Sequence, residues 1–251
     1  ENEFVDAKAL AGLEAAGHTL FPTSKTISLV QDKLIQKQTL QAAGISMPAF
    51  LPVERPEDVV QAADKLGWPL VLKARRNGYD GKGNATLNSQ TDLEQAWKKL
   101  GGNEARSLYV EAFCLFKKEL AVMVTRAQDG EMVTYPVVET IQKDHICHTV
   151  IAPAEIDNHL ANEATELARK ATEAIDGIGS IGVEMFLGNN DEVLLNEMAP
   201  RVHNSGHYTI EACECSQFEN HVRALLGWPL GSTNMISPYA IMVNLLGKAN
   251  G

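Results

Sequence analysis

Two carboxylates, Glu184 and Glu197, lie on successive apolar runs of strand length, and Arg201-Val202-His203-Asn204-Ser205-Gly206-His207 follows at once. Upstream, a strand ending in Lys73 leads into the glycine-rich stretch Asn77-Gly78-Tyr79-Asp80-Gly81-Lys82-Gly83-Asn84. Paired carboxylates hold Mg²⁺, and a glycine-rich loop beside a lysine cradles the phosphates that the cation neutralises. Arg, His, Asn and Ser side by side can receive an anionic second substrate. Together these are the parts of an enzyme that uses ATP.

The carboxylates need a hairpin to bring them together. Ser180–Leu187 and Glu192–Met198 are the two runs, and Gly188, Asn189, Asn190 and Asp191 supply the turn. Pairing Leu187 with Glu192 predicts Glu184 opposite Leu195 and Glu197 opposite Gly182. The acids then share a face as diagonal neighbours, roughly 7–8 Å apart at the backbone. A one-residue bulge within this register would separate the faces. Asn196 is expected to point away unless the strand ends there. Two unrelated acids on a solvated hairpin are the competing reading, which the apolar Met185, Phe186, Val193 and Leu195 disfavour.

Each remaining residue carries a plain reading beside the chemical one. Lys73 ends a buried-looking strand, where a lysine must reach a partner such as a phosphate or snorkel to water. Gly78, Gly81 and Gly83 let backbone N–H groups turn around an anion, yet many such loops are only turns. No Gly-Lys-Ser/Thr follows, so this is a hairpin flap and no Walker A loop. Glu111 and Glu119 flank Ala112-Phe113-Cys114-Leu115, whose extended backbone suits adenine while a carboxylate suits ribose hydroxyls. Taken alone, either glutamate reads as a surface charge. Asn204 or Ser205 can cap the helix expected to follow, and a helix N-terminus also attracts anions.

The elements that position these groups follow from periodicity and punctuation. Leu10 to about Val30 is amphipathic, with a turn at Pro22 and a short helix entered at Thr23-Ser24. Helices are expected over Asp32–Ala43 (stopped by Gly44), Pro56–Gly67, Ser89–Leu100, about Asn158–Ile175 and about Gly206–Leu226. Strands are expected over Pro69–Ala74, Leu108–Glu111, Glu119–Arg126 and Met132–Glu139, with Pro136 marking an edge or bulge. The predicted organisation is a terminal tail over residues 1–30, a small α/β lobe over 31–105 and a larger α+β lobe over 106–251, with a cleft between the lobes.

Composition narrows the class. The 251 residues carry a net charge of −10, with 45% hydrophobic and 22% charged residues, as expected of an ordinary globular protein. That charge disfavours nucleic acid as a partner, and no apolar run nears the roughly 20 residues that span a bilayer. Cys114, Cys147, Cys213 and Cys215 show no CxxC spacing, and reduced thiols in a cytoplasmic protein are expected. Cys213 and Cys215 are expected within the last helix. Both ends of the chain enter structured patterns directly, which predicts a fragment.

Gly78–Asn84, Tyr135-Pro136-Val137-Val138-Glu139, Asn196-Glu197-Met198-Ala199-Pro200-Arg201 and His203-Asn204-Ser205-Gly206-His207 resemble the N5-carboxyaminoimidazole ribonucleotide synthetases of purine biosynthesis, ATP-grasp enzymes. Ser216-Gln217-Phe218-Glu219 and Met242–Gly247 extend the resemblance along nearly the whole chain. It implies an ATP-grasp fold, with two α/β subdomains enclosing a nucleotide cleft. The implied substrates are ATP, bicarbonate and aminoimidazole ribonucleotide, with Mg²⁺ (or Mn²⁺) as the cation and a homodimer as the assembly. Lys33 and Lys73 would contact phosphates under a lid of Gly78, Tyr79, Asp80, Gly81, Lys82, Gly83 and Asn84. Glu111, Ala112, Phe113 and Cys114 would frame adenine, and Glu119 the ribose. Gln142, where many members carry histidine, and Asn196 would lie near the nucleotide. Glu184 and Glu197 would hold the cation. Arg201, His203, Asn204 and Ser205, with Tyr79 and Glu3, would serve bicarbonate and the ribonucleotide, and Arg201, His203 and Lys73 would be catalytic. Val202 stands where proline is usual.

Overall fold

Turn residues and helix caps cut the chain into short helices and two antiparallel sheets. The computed structural model describes residues 3–78, 83–102, 107–143, 146–245 and 247, so Tyr79, Asp80, Gly81 and Lys82 of the expected lid lie outside the described residues. The helices are α1 (Ala7–Ala15), α2 (Ser24–Gln31), α3 (Lys33–Ala42), α4 (Pro56–Leu66), α5 (Leu93–Lys99), α6 (Asn158–Ala174), α7 (Thr209–Ala212) and α8 (Gln217–Leu226). The strands of the first half are β1 (Phe50–Val53), β2 (Leu70–Ala74), β3 (Asn84–Leu87), β4 (Leu108–Ala112) and β5 (Phe116–Arg126). Those of the second are β6 (Met132–Thr134), β7 (Val138–Lys143), β8 (Ile146–Ala152), β9 (Gly179–Gly188), β10 (Val193–Ala199) and β11 (Ala240–Val243).

The smaller sheet has the order β1-β4-β2-β3. The alternation in β2 buries Leu70, Leu72 and Ala74, which pack with Val59, Trp97 and Val110. Lys73 therefore faces the opposite side, toward the other sheet. β2 and β3 pair antiparallel with Lys73 opposite Asn84, so the described residues on either side of the glycine-rich stretch belong to two paired strands. β4 was expected to open the larger lobe. It instead pairs with both β1 and β2, and so belongs to the smaller sheet. A short apolar run carries no mark of which sheet will take it.

The larger sheet runs β10-β9-β5-β7-β8-β11, with β6 beside β5. One face is covered by α6, whose Leu160, Ala164, Leu167, Ala168 and Ala171 recur at helical spacing against Leu120, Val122, Ile181 and Val183. Burying one such leucine or valine contributes about 1.5–3 kcal/mol. The other face carries Tyr208 and Ala212 over Ala121 and Met123, and beyond them it lines the cleft.

Two expected elements are broken. Met132–Glu139 divides into β6 and β7 around Tyr135-Pro136-Val137, where proline has no N–H to give. The single helix expected over Gly206–Leu226 is a 3₁₀ turn at Asn204–Gly206, then α7, then α8. Ser216 caps α8 by accepting from the Glu219 N–H at 3.2 Å. Cys213 is extended and bridges Met235, so Cys213 and Cys215 lie between helices and not within one. Among the described residues no helix is long and apolar enough to cross a membrane.

Candidate functional site

The two sheets face each other across a cleft of about 620 Å³. Its carboxylates come from the β9–β10 hairpin, whose register differs from the sequence reading. Leu187 pairs with Val193, not Glu192, and the register then shifts between Leu195 and Glu197. Asn196 is the extra residue of a β-bulge, and Glu197 stands directly opposite Glu184. The bulge joins the acids because the starting register was itself one residue off. It also corrects the expected outward direction of Asn196, which lines the cleft beside Glu197.

Lysines meet these acids from the other side. Asp32 caps α3 by accepting from the Ile35 N–H at 3.3 Å, and the Arg75 fork holds the same carboxylate at 2.9 and 2.7 Å. That fixes the start of the helix at Lys33, whose Nζ lies 2.9 Å from Glu197 Oε1. Burial pushes the Glu197 carboxyl up, but Lys33 and Lys73 outweigh it and hold the group below the usual range.

Glu111 departs furthest from its plain reading. Its side chain is 3% exposed and lies between Lys73 at 2.8 Å and Lys37 at 2.9 Å. Burial raises its pKa, yet the two ammonium groups prevail and lower it. Lys73 is raised overall, since Glu111 offsets the cost of burial, whereas for the more enclosed Lys37 burial prevails and lowers it. Sequence reasoning missed Lys37. The available signal was a lysine on the buried stripe of Leu34 and Leu40, one turn beyond Lys33.

The other end of the cleft is lined by Ala112, Phe113, Cys114, Glu119 and Gln142, with Phe116 stacked on Phe186 at 4.6 Å. Glu119 is pushed up to about 7, first by burial and then by the charge of Glu184, against a hydrogen bond from Gln142. Burial also raises the thiols of Cys114 and Cys147, the latter to about 11, so neither is a ready nucleophile. At the mouth of the glycine-rich stretch, Gly78 and Gly83 approach so closely that a Cβ on Gly83 would run into the Gly78 backbone.

Arg201, His203 and Asn204 line the cleft beside the carboxylates, and Ser205 is buried beneath them. Arg201 forks onto Glu3, through Nε to one oxygen and Nη2 to the other at 2.8 Å. Its third nitrogen donates to the Val202 carbonyl at 3.0 Å. His203 Nε2 lies 3.3 Å from Glu184 Oε1 and Nδ1 lies 2.9 Å from Ser205 Oγ. The buried Asn204 Oδ1 has no hydrogen-bond partner among the described residues, which leaves an acceptor for a ligand to satisfy.

Among the described residues no group of three or more His, Cys, Asp or Glu gathers to hold a metal. Two opposed carboxylates do fit Mg²⁺, which keeps oxygen positions for phosphates and water and so can arrive with a nucleotide.

Residues 38–218 match the ATP-grasp domain. The N5-carboxyaminoimidazole ribonucleotide synthase of Synechococcus elongatus is 44% identical over 247 residues, covering 98% of this chain and 62% of that protein. The phosphoribosylaminoimidazole carboxylase of Schizosaccharomyces pombe is 44% identical over 252 residues, covering 98% and 45%. Among solved structures, carboxyaminoimidazole ribonucleotide synthase from Aspergillus clavatus complexed with ATP superposes with a TM-score of 0.91 at 42% identity, covering 98% of this chain and 64% of that one. The Aspergillus clavatus synthase in complex with ADP and 5-aminoimidazole ribonucleotide gives 0.91 at 41%, covering 99% and 65%. The chain thus spans less than two thirds of these relatives.

Proposed function

The chain belongs to the ATP-grasp family, and from that premise we propose that it is the core of a ligase that carboxylates 5-aminoimidazole ribonucleotide with ATP and bicarbonate. The observation that carries this reading is the direct opposition of Glu184 and Glu197, with lysines on one side and Arg201, His203 and Asn204 on the other. The relatives named synthase, one of them seen with ADP and 5-aminoimidazole ribonucleotide, support the choice of substrates.

In this reading a bicarbonate oxygen attacks the γ-phosphorus of ATP, the bond to the β-phosphate oxygen breaks, and ADP leaves with carboxyphosphate formed. The 5-amino nitrogen then attacks the carboxyl carbon and phosphate departs. Such transfer is chiefly positioning and charge neutralisation. Lys33 and Lys73 face the phosphates, with Lys37 adding charge from behind Glu111. Phe113, Phe116 and Phe186 receive the base, and Glu119 the ribose. Glu184 and Glu197 would hold Mg²⁺, which when bound neutralises the charge on the phosphates. Asn204 Oδ1 accepts from the amine, and His203, with Glu184 beside Nε2, stands next to it to orient the second substrate. Carboxyphosphate decomposes in water, so the reaction must be screened from solvent.

A nucleotide-binding core without turnover is the second reading, favoured by one observation. The forked edge of Arg201 that would receive an anion is taken by Glu3. ADP release with Mg²⁺ and ATP, with bicarbonate and aminoimidazole ribonucleotide each present or omitted, separates the two. Release that needs both supports the ligase. ATP-dependent stabilisation without release supports the binding core.

A further inference from the structure

His203 faces the cleft from a segment that is neither helix nor strand, yet its orientation is fixed on every side. Its ring lies on Gly182, where a Cβ would come within 2.6 Å of His203 Cβ. Nδ1 lies 2.9 Å from Ser205 Oγ and 3.3 Å from the Ser205 backbone nitrogen. A backbone N–H can only donate, so Nδ1 is the acceptor and the proton sits on Nε2, directed at Glu184 Oε1 3.3 Å away.

The backbone of His203 is held by a single side chain from another element. Gln217, the first residue of α8, is fully buried. Its Oε1 accepts from the His203 N–H at 2.9 Å, and its Nε2 donates to the His203 carbonyl at 2.8 Å. Both peptide groups flanking the His203 Cα are therefore tied to one amide. Gln217 is fixed in turn: its N–H donates to Thr209 Oγ1 at 3.0 Å and its carbonyl accepts from Ser180 Oγ at 2.9 Å. Gly206 leaves it room, because a Cβ there would stand 2.6 Å from Gln217 Oε1.

We infer that Gln217 is a positioning residue, which holds the His203 imidazole in one tautomer and one place against Glu184 for the reaction of the second substrate. The inference rests on the function proposed above. Its physical basis is the narrow positional tolerance of groups around a reacting centre, since a misplacement of about 1 Å costs on the order of 10²-fold in rate.

Gln217→Glu tests it. The variant keeps the length and the acceptor for the His203 N–H, but sets a carboxylate oxygen against the His203 carbonyl. Turnover dependent on bicarbonate and aminoimidazole ribonucleotide is expected to fall by about 10²-fold in kcat, with the KM for ATP unchanged. The ¹⁵N ring signals of His203, assigned by their loss in His203→Asn, should report a fixed Nε2–H tautomer in the parent chain and tautomer averaging in the variant. Gln217→Asn, too short to reach both backbone groups, gives the same two readouts if the glutamate variant does not fold. A single unchanged tautomer in the folded variant overturns the inference, as does a parallel rise in the KM for ATP with kcat preserved. A parent chain without bicarbonate-dependent turnover would sink the functional reading separately, and the tautomer measurement would still decide whether Gln217 holds His203.

Discussion

At the scale of single residues, the charge on Lys37 asks for a reason. Its side chain is 2% exposed, and a buried ammonium persists only where a partner compensates the lost hydration. Glu111 is that partner, but Glu111 also holds Lys73. The triad thus carries one net positive charge, which the cleft presents through Lys73. Lys37→Met should leave a neutral Glu111–Lys73 pair with similar packing volume. ATP binding by calorimetry is then expected to weaken about tenfold, while adenosine binding is unchanged; equal losses for both ligands would show that Lys37 shapes the pocket and not its charge. Glu119 makes a second case. Its folded pKa of about 7 lies above the unfolded carboxylate value, so between these the native state holds the extra proton. Stability must then fall as pH rises through that window. Glu119→Gln should therefore melt higher than the parent at pH 8, with the gain shrinking toward pH 5. Residue types alone made Lys73, Glu184 and Glu197 legible in the sequence. Lys37 was legible only as a lysine on an apolar stripe. Gln217 left no local mark, since the backbone it holds lies in another element.

At the scale of elements, the hairpin shows what alternation can and cannot fix. The apolar runs and the Gly188–Asp191 turn placed both strands, because inward residues and turn formers are local signals. Register was out of reach, since it depends on a turn one residue longer and on a bulge at Asn196. Those two departures add to a shift of two residues, which keeps both acids on one face and brings Glu197 from opposite Gly182 to opposite Glu184. The same limit broke the expected Gly206–Leu226 helix. Helical spacing continues through Cys213–Cys215, but the Glu214 N–H goes to the Asn234 carbonyl and the Cys215 carbonyl to Tyr135 Oη, at 2.9 and 3.0 Å. Tertiary partners outcompeted the helix there. Glu197→Gln tests the hairpin's role. It keeps the strand and its size, so melting should be little altered, while Mg²⁺-dependent ADP release should be abolished. Turnover like that of the parent chain would remove Glu197 from the cation site.

At the scale of the whole molecule, the cleft is the joint between two separately cored sheets, and the site exists only across it. The smaller sheet gives Lys73 and Glu111, the larger gives Glu184 and Glu197, and α3 reaches both through Lys37 and Lys33. Periodicity and turn residues suggested two lobes in the sequence but misplaced β4, because the choice of sheet is made by contacts far along the chain. A nucleotide with its cation would link phosphates to lysines of one lobe and carboxylates of the other, so its binding energy should stabilise both. At a concentration of 100 times Kd, ligand binding adds about 2.7 kcal/mol, which for a chain of this size raises Tm by roughly 5–10 °C. Differential scanning calorimetry with ATP and Mg²⁺ is expected to show that rise in every transition present. Removing the cation with EDTA should forfeit most of it, since Glu184 and Glu197 would then face the phosphates as bare charges. A shift confined to one of two transitions, or one indifferent to EDTA, would place the nucleotide on a single lobe and dissolve the shared site.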